Sequence, residues 1–207
     1  MRPSLTVIKV GGSLLDWPQL PGRLTEFLEG RRANTPAERT VLIAGGGAAA
    51  DLIRVLDRIH GLGDQTAHLL ALHALDLTAI ALAAILPGST LVARVESLST
   101  AWDAGVVPIL APRSILCAID RSGSGFDPLR ASWDVTSDTI AARIAVYLEA
   151  ESLILLKSAS LPVGTSRAAA ARHGLVDPIF PVAAGALPRV AYLNLREAPP
   201  KLEDLPP

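Results

Sequence analysis

Two short apolar runs in this chain each end in glycines and then give way to helical spacing, and that repeat constrains the fold more than any other feature. Residues 5–10 (Leu-Thr-Val-Ile-Lys-Val) are closed by Gly11 and Gly12, the pattern of a buried parallel strand. Residues 20–28 supply the helix expected next, and residues 31–39, polar and interrupted by Pro36, read as an exposed connection. Residues 41–44 (Val-Leu-Ile-Ala) make a second strand. Gly45, Gly46 and Gly47 follow it, and Leu52, Ile53, Leu56 and Ile59 then recur at helical spacing.

The rest of the chain continues the alternation. Strands are predicted at 91–95, 107–110, 153–156 and 190–193, and helices at 139–148 and 167–172. Residues 122–125 read as a flexible Ser/Gly loop, and residues 198–207 as a loose tail. The apolar segment 68–86 carries His73 and Asp76 near its middle. An unpaired central Asp is costly in lipid, so this segment is read as a buried helix of the core or of a subunit interface and not as a membrane span. Strands alternating with helices imply an α/β fold, a mainly parallel sheet with helices on both faces and binding groups at the strands' carboxyl ends. The length, 207 residues, suits a single domain, expected over residues 1–197.

Composition narrows the partners. Nineteen basic residues against twenty acidic ones give a net charge of −1, without the broad positive field that nucleic-acid binding requires. One cysteine, Cys117, excludes an internal disulfide framework and agrees with a reducing, cytoplasmic setting. Met1-Arg2-Pro3-Ser4 enters the first strand without a signal-like apolar region. His60, His68, His73 and His173 are scattered, and no metal-binding residues are predicted.

Three motifs carry chemistry. Trp133-Asp134-Val135-Thr136-Ser137-Asp138 sets carboxylates and hydroxyls just before an alanine-rich helix. The first N–H groups there lack intrahelical partners and the dipole is positive, so these side chains act either as caps or as organisers of bound phosphate. Thr136 and Ser137 are the phosphate-binding candidates; Asp138 either caps the helix or holds a lysine toward phosphate. In the first motif, Lys9 can set its ammonium against a transferring phosphoryl group. Gly11 and Gly12 allow close backbone approach, and Ser13 can donate a hydrogen bond. Lys157, at the end of a predicted strand, is either a second phosphate-binding cation or a solvated charge. The triglycine turn can bind a substrate's anionic group or let helix and strand pack closely. Gly45-x-Gly47-x-x-Ala50 also fits a relaxed dinucleotide fingerprint, but the acidic residue this requires at the end of the next strand is missing, Asp64 lying in a loop. Arg54 and Arg58, on the following helix, are candidates for holding an acceptor phosphate.

Taken together, Val7-Ile8-Lys9-Val10-Gly11-Gly12-Ser13, Leu42-Ile43-Ala44-Gly45-Gly46-Gly47 and Thr136-Ser137-Asp138-Thr139-Ile140-Ala141-Ala142 resemble the amino acid kinase superfamily over roughly residues 5–160. The resemblance implies an open three-layer αβα sandwich that transfers the ATP γ-phosphoryl group to an anionic small molecule, with Mg²⁺ arriving on ATP, in a homo-oligomer. Lys9 and Asp138 would be catalytic. Gly11, Gly12, Ser13, Thr136, Ser137 and Lys157 would meet the nucleotide and its phosphates, and Gly45, Gly46, Gly47 and Arg54 would meet the acceptor. Residues 1–130 would form the acceptor-binding part and 131–197 an abbreviated nucleotide-binding part. The Trp-Asp-Val-Thr-Ser-Asp run and Gly174-Leu175-Val176-Asp177-Pro178 are most similar to the small aminomethylfuran phosphate kinases of methanofuran-type cofactor synthesis. In place of the Asp-x-x-Gly-hydrophobic-Tyr loop of larger members, the chain has Lys157-Ser158-Ala159-Ser160-Leu161-Pro162-Val163-Gly164.

Overall fold

The computed structural model describes residues 3–123 and 125–207. Met1, Arg2 and Ser124, which the sequence reading put at the chain start and in the Ser/Gly loop, lie outside the described residues. The strands are β1 (Leu5–Val10), β2 (Arg39–Ala44), β3 (Ser89–Val92), β4 (Val107–Leu110), β5 (Ser152–Lys157), β6 (Arg189–Asn194) and β7 (Glu203–Asp204). They form one sheet in the order β3-β4-β2-β1-β5-β6-β7. Every pairing is parallel except β6 with β7.

The middle strands are buried on both faces, and their side chains alternate between two cores with period two. Val7, Val41, Ile43, Leu153 and Leu155 point into one core; Ile8, Leu42, Ala44, Ile154 and Leu156 point into the other. Helices α1 (Leu20–Asn34), α2 (Gly47–His60), α3 (Asp64–Ile85), α4 (Leu98–Asp103), α5 (Pro112–Arg121), α6 (Ser137–Tyr147), α7 (Arg167–Arg172) and α8 (Phe180–Ala183) connect the strands. Helix α1 closes the second core with Leu20 and Leu24, whereas α5, α6 and α8 close the first with Ile115, Ile140, Ile144 and Phe180. From β1 the chain passes to β2 and the edge strand β3, inserts β4 between them, then returns to set β5 on the other flank of β1. The β1/β5 boundary is therefore where the winding reverses, the place where open α/β sheets leave a crevice beyond the strand ends.

Three expectations need correction. Segment 68–86 is not buried throughout: α3 packs one side inward, while Leu69, Leu77 and Ile80 are about half exposed. These continue the exposed Leu52, Val55 and Ile59 of α2 into an outer apolar face. The Asp76 carboxylate accepts from the Arg113 backbone N–H at 3.0 Å. Residues 198–207 are not a loose tail. Two of them form β7, Leu205 is fully buried, and the buried Arg167 guanidinium donates to Leu205 O at 3.0 Å and Ala184 O at 2.7 Å. A two-residue strand has no periodicity to read, and a Pro-rich, charged ending hides it. Finally, α1 runs to Asn34, so the polar stretch 31–39 is half helix. The Arg31 guanidinium there is tied to Glu38 at 2.6 Å.

Candidate active site

Period two decides which side chains reach the crevice. Lys9 lies on the same face of β1 as Val7, and Lys157 on the same face of β5 as Leu153 and Leu155, with Lys9 in register with Leu155. Both lysines therefore end up under α6, which packs on that face. Asp138, in the first turn of α6, sits between them: its Oδ1 is 2.9 Å from Lys9 Nζ and its Oδ2 accepts from Lys157 Nζ at 2.6 Å. Lys9 and Asp138 are 3% and 4% exposed. A buried ion pair of this kind stands only when the remaining donors are satisfied, and Lys157 Nζ also donates to Leu175 O at 2.9 Å.

Burial alone would raise the Asp138 pKa; the two ammonium groups outweigh it and hold the carboxyl down at about 2. Burial and the neighbouring Lys9 push Lys157 down to about 8, with Asp138 and Asp177 opposing the shift. Asp138 is thus ionised across the physiological range, and Lys157 is a cation at neutral pH that is lost just above it.

A cleft of about 250 Å³ opens over this row. Lys9, Lys157, Asp138, Thr136 and Ser137 form one wall; Gly12, Ser13, Gly46, Gly47 and Arg54 form the other, with Trp133 and His68 at the rim. Gly11 and Gly45 do not line it. Instead, the glycine turns interlock: a Cβ on Gly12 would lie 2.3 Å from Gly47 N, one on Gly45 would lie 2.6 Å from Gly12 N, and one on Gly11 would lie 2.8 Å from Leu156 O. Gly12, Gly45 and Gly47 thus let the two turns pack backbone to backbone, while Gly46 and Gly47 also line the cleft. Ser13 is exposed, and its hydroxyl lies 2.7 Å from that of Ser158. Arg54 bonds Asp51 at 2.9 Å and stacks 4.9 Å from the Trp133 ring, while Trp133 Nε1 donates to Asp57 at 2.8 Å.

The start of α6 differs from its expected use. Thr136 donates both its N–H (3.1 Å) and its hydroxyl (2.9 Å) to Asp177, which also accepts from Thr139 N at 2.9 Å and from the Thr139 hydroxyl. An internal carboxylate therefore occupies donors that the sequence offered to phosphate.

Residues 4–160 match the family model for the amino acid kinase family. The chain belongs to that family. It is also 26% identical over 156 residues to the [5-(aminomethyl)furan-3-yl]methyl phosphate kinase of Methanocaldococcus jannaschii, covering 72% of this chain and 63% of that relative. The chain thus spans under two thirds of that protein's length. Among solved structures it resembles aspartate kinase from Synechocystis, with TM-score 0.66, 14% identity, and 99% of this chain and 40% of that one covered. It also resembles UMP kinase from Ureaplasma parvum, with TM-score 0.62, 16% identity, and 95% and 92% covered. These likenesses bear out the mainly parallel α/β sandwich.

Sequence reasoning gave this family member no role for Asp177 or for the Leu175 carbonyl, both beyond the matched stretch. The GLVDP segment was visible, but nothing in its spacing places Asp177 against Thr136, 41 residues earlier. Lys157 had a signal that went unused: the chain contains only three lysines, Lys9, Lys157 and Lys201, and the fold brings two of them to one carboxylate.

Proposed function

We propose that this protein is an ATP-dependent kinase that transfers the γ-phosphoryl group to a small anionic acceptor, and that the acceptor is a phosphate monoester such as aminomethylfuran-methyl phosphate, giving a diphosphate. The observation that carries the reading is the Lys9–Asp138–Lys157 row at the winding reversal, facing the cleft. An acceptor phosphate is already anionic near neutral pH, so the reaction needs alignment and charge neutralisation and no general base. Lys9 and Lys157 neutralise the moving group, and Asp138 holds both ammoniums in place. Residues 1–130 serve the acceptor and 131–197 the nucleotide.

Among the described residues no cluster of three His, Cys, Asp or Glu side chains could hold a metal, and both Asp138 oxygens face ammonium groups. Mg²⁺ belongs to this proposal as an ion carried on the ATP phosphates, held by their oxygens and water, and none of the steps assigned to side chains depends on it. The proposal also includes a cytoplasmic homo-oligomer built on the outer apolar face of α2 and α3, which light scattering on Ile80→Glu against the parent tests: the variant is expected to be smaller.

The deciding experiment is ATP consumption against aminomethylfuran-methyl phosphate, uridine monophosphate and acidic amino acids, with Lys9→Ala beside the parent protein. Turnover with the furan phosphate alone, abolished in the variant, supports the full reading. Turnover with another acceptor replaces the acceptor and keeps the kinase, whereas nucleotide binding with no turnover leaves a ligand-binding relative.

A further inference from the structure

Asp177 lies in the loop between α7 and α8, beyond the stretch that matches the family model, yet it is 6% exposed and touches the site from behind. One carboxylate oxygen accepts from Thr136 N, Thr136 Oγ1 and Thr139 N; the other accepts from Thr139 Oγ1 and from Phe180 N at 2.9 Å. Helix α6 has no cap from its own Thr136 side chain, so this distant carboxylate is what takes the Thr139 N–H of its first turn. Asp138 is in that same turn. Two residues before Asp177, Leu175 O accepts from Lys157 Nζ. The single loop between α7 and α8 therefore fixes both the helix start that aims Asp138 and one of the two acceptors that aim Lys157.

We infer that Asp177 is a positioning residue for the Lys9–Asp138–Lys157 row, acting through the first turn of α6, the Leu175 carbonyl and its own charge, and not by contact with substrate. The inference deepens the kinase reading and rests on it for its consequence, but the geometry it describes exists without turnover. A cap that served folding alone would stabilise α6 and leave Lys157 indifferent. A positioning carboxylate also acts on the Lys157 charge. The groups facing that ammonium are Asp138 from α6, Lys9 from β1 and Asp177 from the loop; the Asp138 charge acts on the Tyr192 hydroxyl of β6, which donates to Ala159 O at 2.8 Å. Asp177 favours the protonated form of Lys157, so its loss adds to the burial and to the Lys9 repulsion that already disfavour that form.

The test uses the near-isosteric Asp177→Asn. With only three lysines in the chain, ¹³Cε-lysine NMR resolves each titration, and assignment needs only Lys157→Arg and Lys201→Arg. The expected result is a Lys157 midpoint lowered by about half a unit or more, with Lys201 unmoved, and an alkaline limb of kcat shifted down by the same amount. Asp177→Glu, which keeps the charge, is expected to restore the midpoint. A Lys157 midpoint equal to the parent's in folded Asp177→Asn, whatever the loss of Tm, overturns the inference while leaving the kinase reading intact. A shifted midpoint in a protein that turns over no acceptor supports the inference and removes the kinase reading. If Asp177→Asn does not fold, Asp177→Ser, which keeps an oxygen acceptor and removes the charge, carries the test by the same midpoint: a lowered value supports the inference and an unchanged one overturns it.

Discussion

Two helices begin at the mouth of the cleft, and their N-termini are built in opposite ways. Helix α2 starts in the triglycine turn: Gly46 offers no side-chain cap, no acidic residue stands in the first turn, and Gly46 and Gly47 face the cleft. Helix α6 starts beside it with the Thr136 and Thr139 donors taken by Asp177 and with Asp138 buried between two ammonium groups. Both carry the same positive dipole end. The difference teaches that resemblance in sequence, a helix start after a polar turn, does not decide use: α2 leaves its end open to an anion, whereas α6 is a frame that aims a carboxylate. On the proposed reaction, phosphate oxygens are drawn to α2 and the two lysines, and α6 acts only through Asp138.

The sharpest way to break this comparison is Asp138→Asn. An amide can neither neutralise two ammoniums nor hold them together, so turnover is expected to fall on the order of 10³-fold. Leaving buried charges unpaired costs about 3 kcal/mol of stability as well. Steady-state kinetics and denaturant melts measure the two separately, and turnover near that of the parent would show that α6 takes no part in the chemistry.

Next in size is Gly12→Ala, which attacks the α2 side. Its Cβ would stand 2.3 Å from Gly47 N and 2.7 Å from Gly47 Cα; neither is a flexible side chain, so the glycine turns must separate. A loss of roughly 3 kcal/mol in urea melts is expected. Gly61→Ala is the control: Gly61 has φ +59° and nothing within 4 Å of a Cβ, so only backbone strain of about 1 kcal/mol is expected there. Equal losses at both sites would mean that the interlock carries no stability.

How much of this was legible beforehand differs between the two helix starts. The strand-glycine-helix units were readable because β1 and β2 are buried on both faces and so are written as continuous apolar runs; Lys9 stood out as a charge inside such a run, and Asp138 as one at the start of an alanine-rich helix. The glycine contacts were not readable: whether a glycine admits a ligand or another backbone depends on a partner 35 residues away. The Asp177 cap was equally hidden, since a local rule looks for caps within a few residues and this one crosses 41. The open face of α3 escaped for a related reason. Leu69, Leu77 and Ile80 are as apolar as the residues opposite them, so hydropathy alone cannot assign sides.

Acid and alkali sharpen the α6 side with a smaller effect. Asp138 titrates at about 2 against 3.8 for the free group. Its contribution, on the order of 2 kcal/mol, is therefore fully present above pH 4 and lost as pH falls through 2. Lys157 runs the other way. It titrates at about 8 against 10.5, so between those values the unfolded chain binds more protons and this group's contribution to stability rises with pH, while the cation proposed to meet phosphate disappears. Stability and turnover should therefore part company above pH 8, with Lys157→Met removing the alkaline rise. Parallel melts and rates across pH 7–10 check it, and a common optimum would contradict the assignment.

Arg54→Ala has the smallest expected effect and probes the α2 side most directly. Arg54 projects from α2 toward the cleft, but its charge is already answered by Asp51 at 2.9 Å and its guanidinium lies on Trp133. Its side chain is 41% exposed, so the Asp51 pair is solvent-screened and worth roughly 0.5 kcal/mol, with a similar increment from the ring. An acceptor held at the open end of α2 would use this arginine as an outer guide. The expected outcome is an acceptor KM raised less than about tenfold, with kcat and ATP KM unchanged. Were kcat to fall as far as in Asp138→Asn, the open helix end would be stabilising the transition state itself. The division between a binding helix and a framing helix would then have to be redrawn with α2 on the catalytic side.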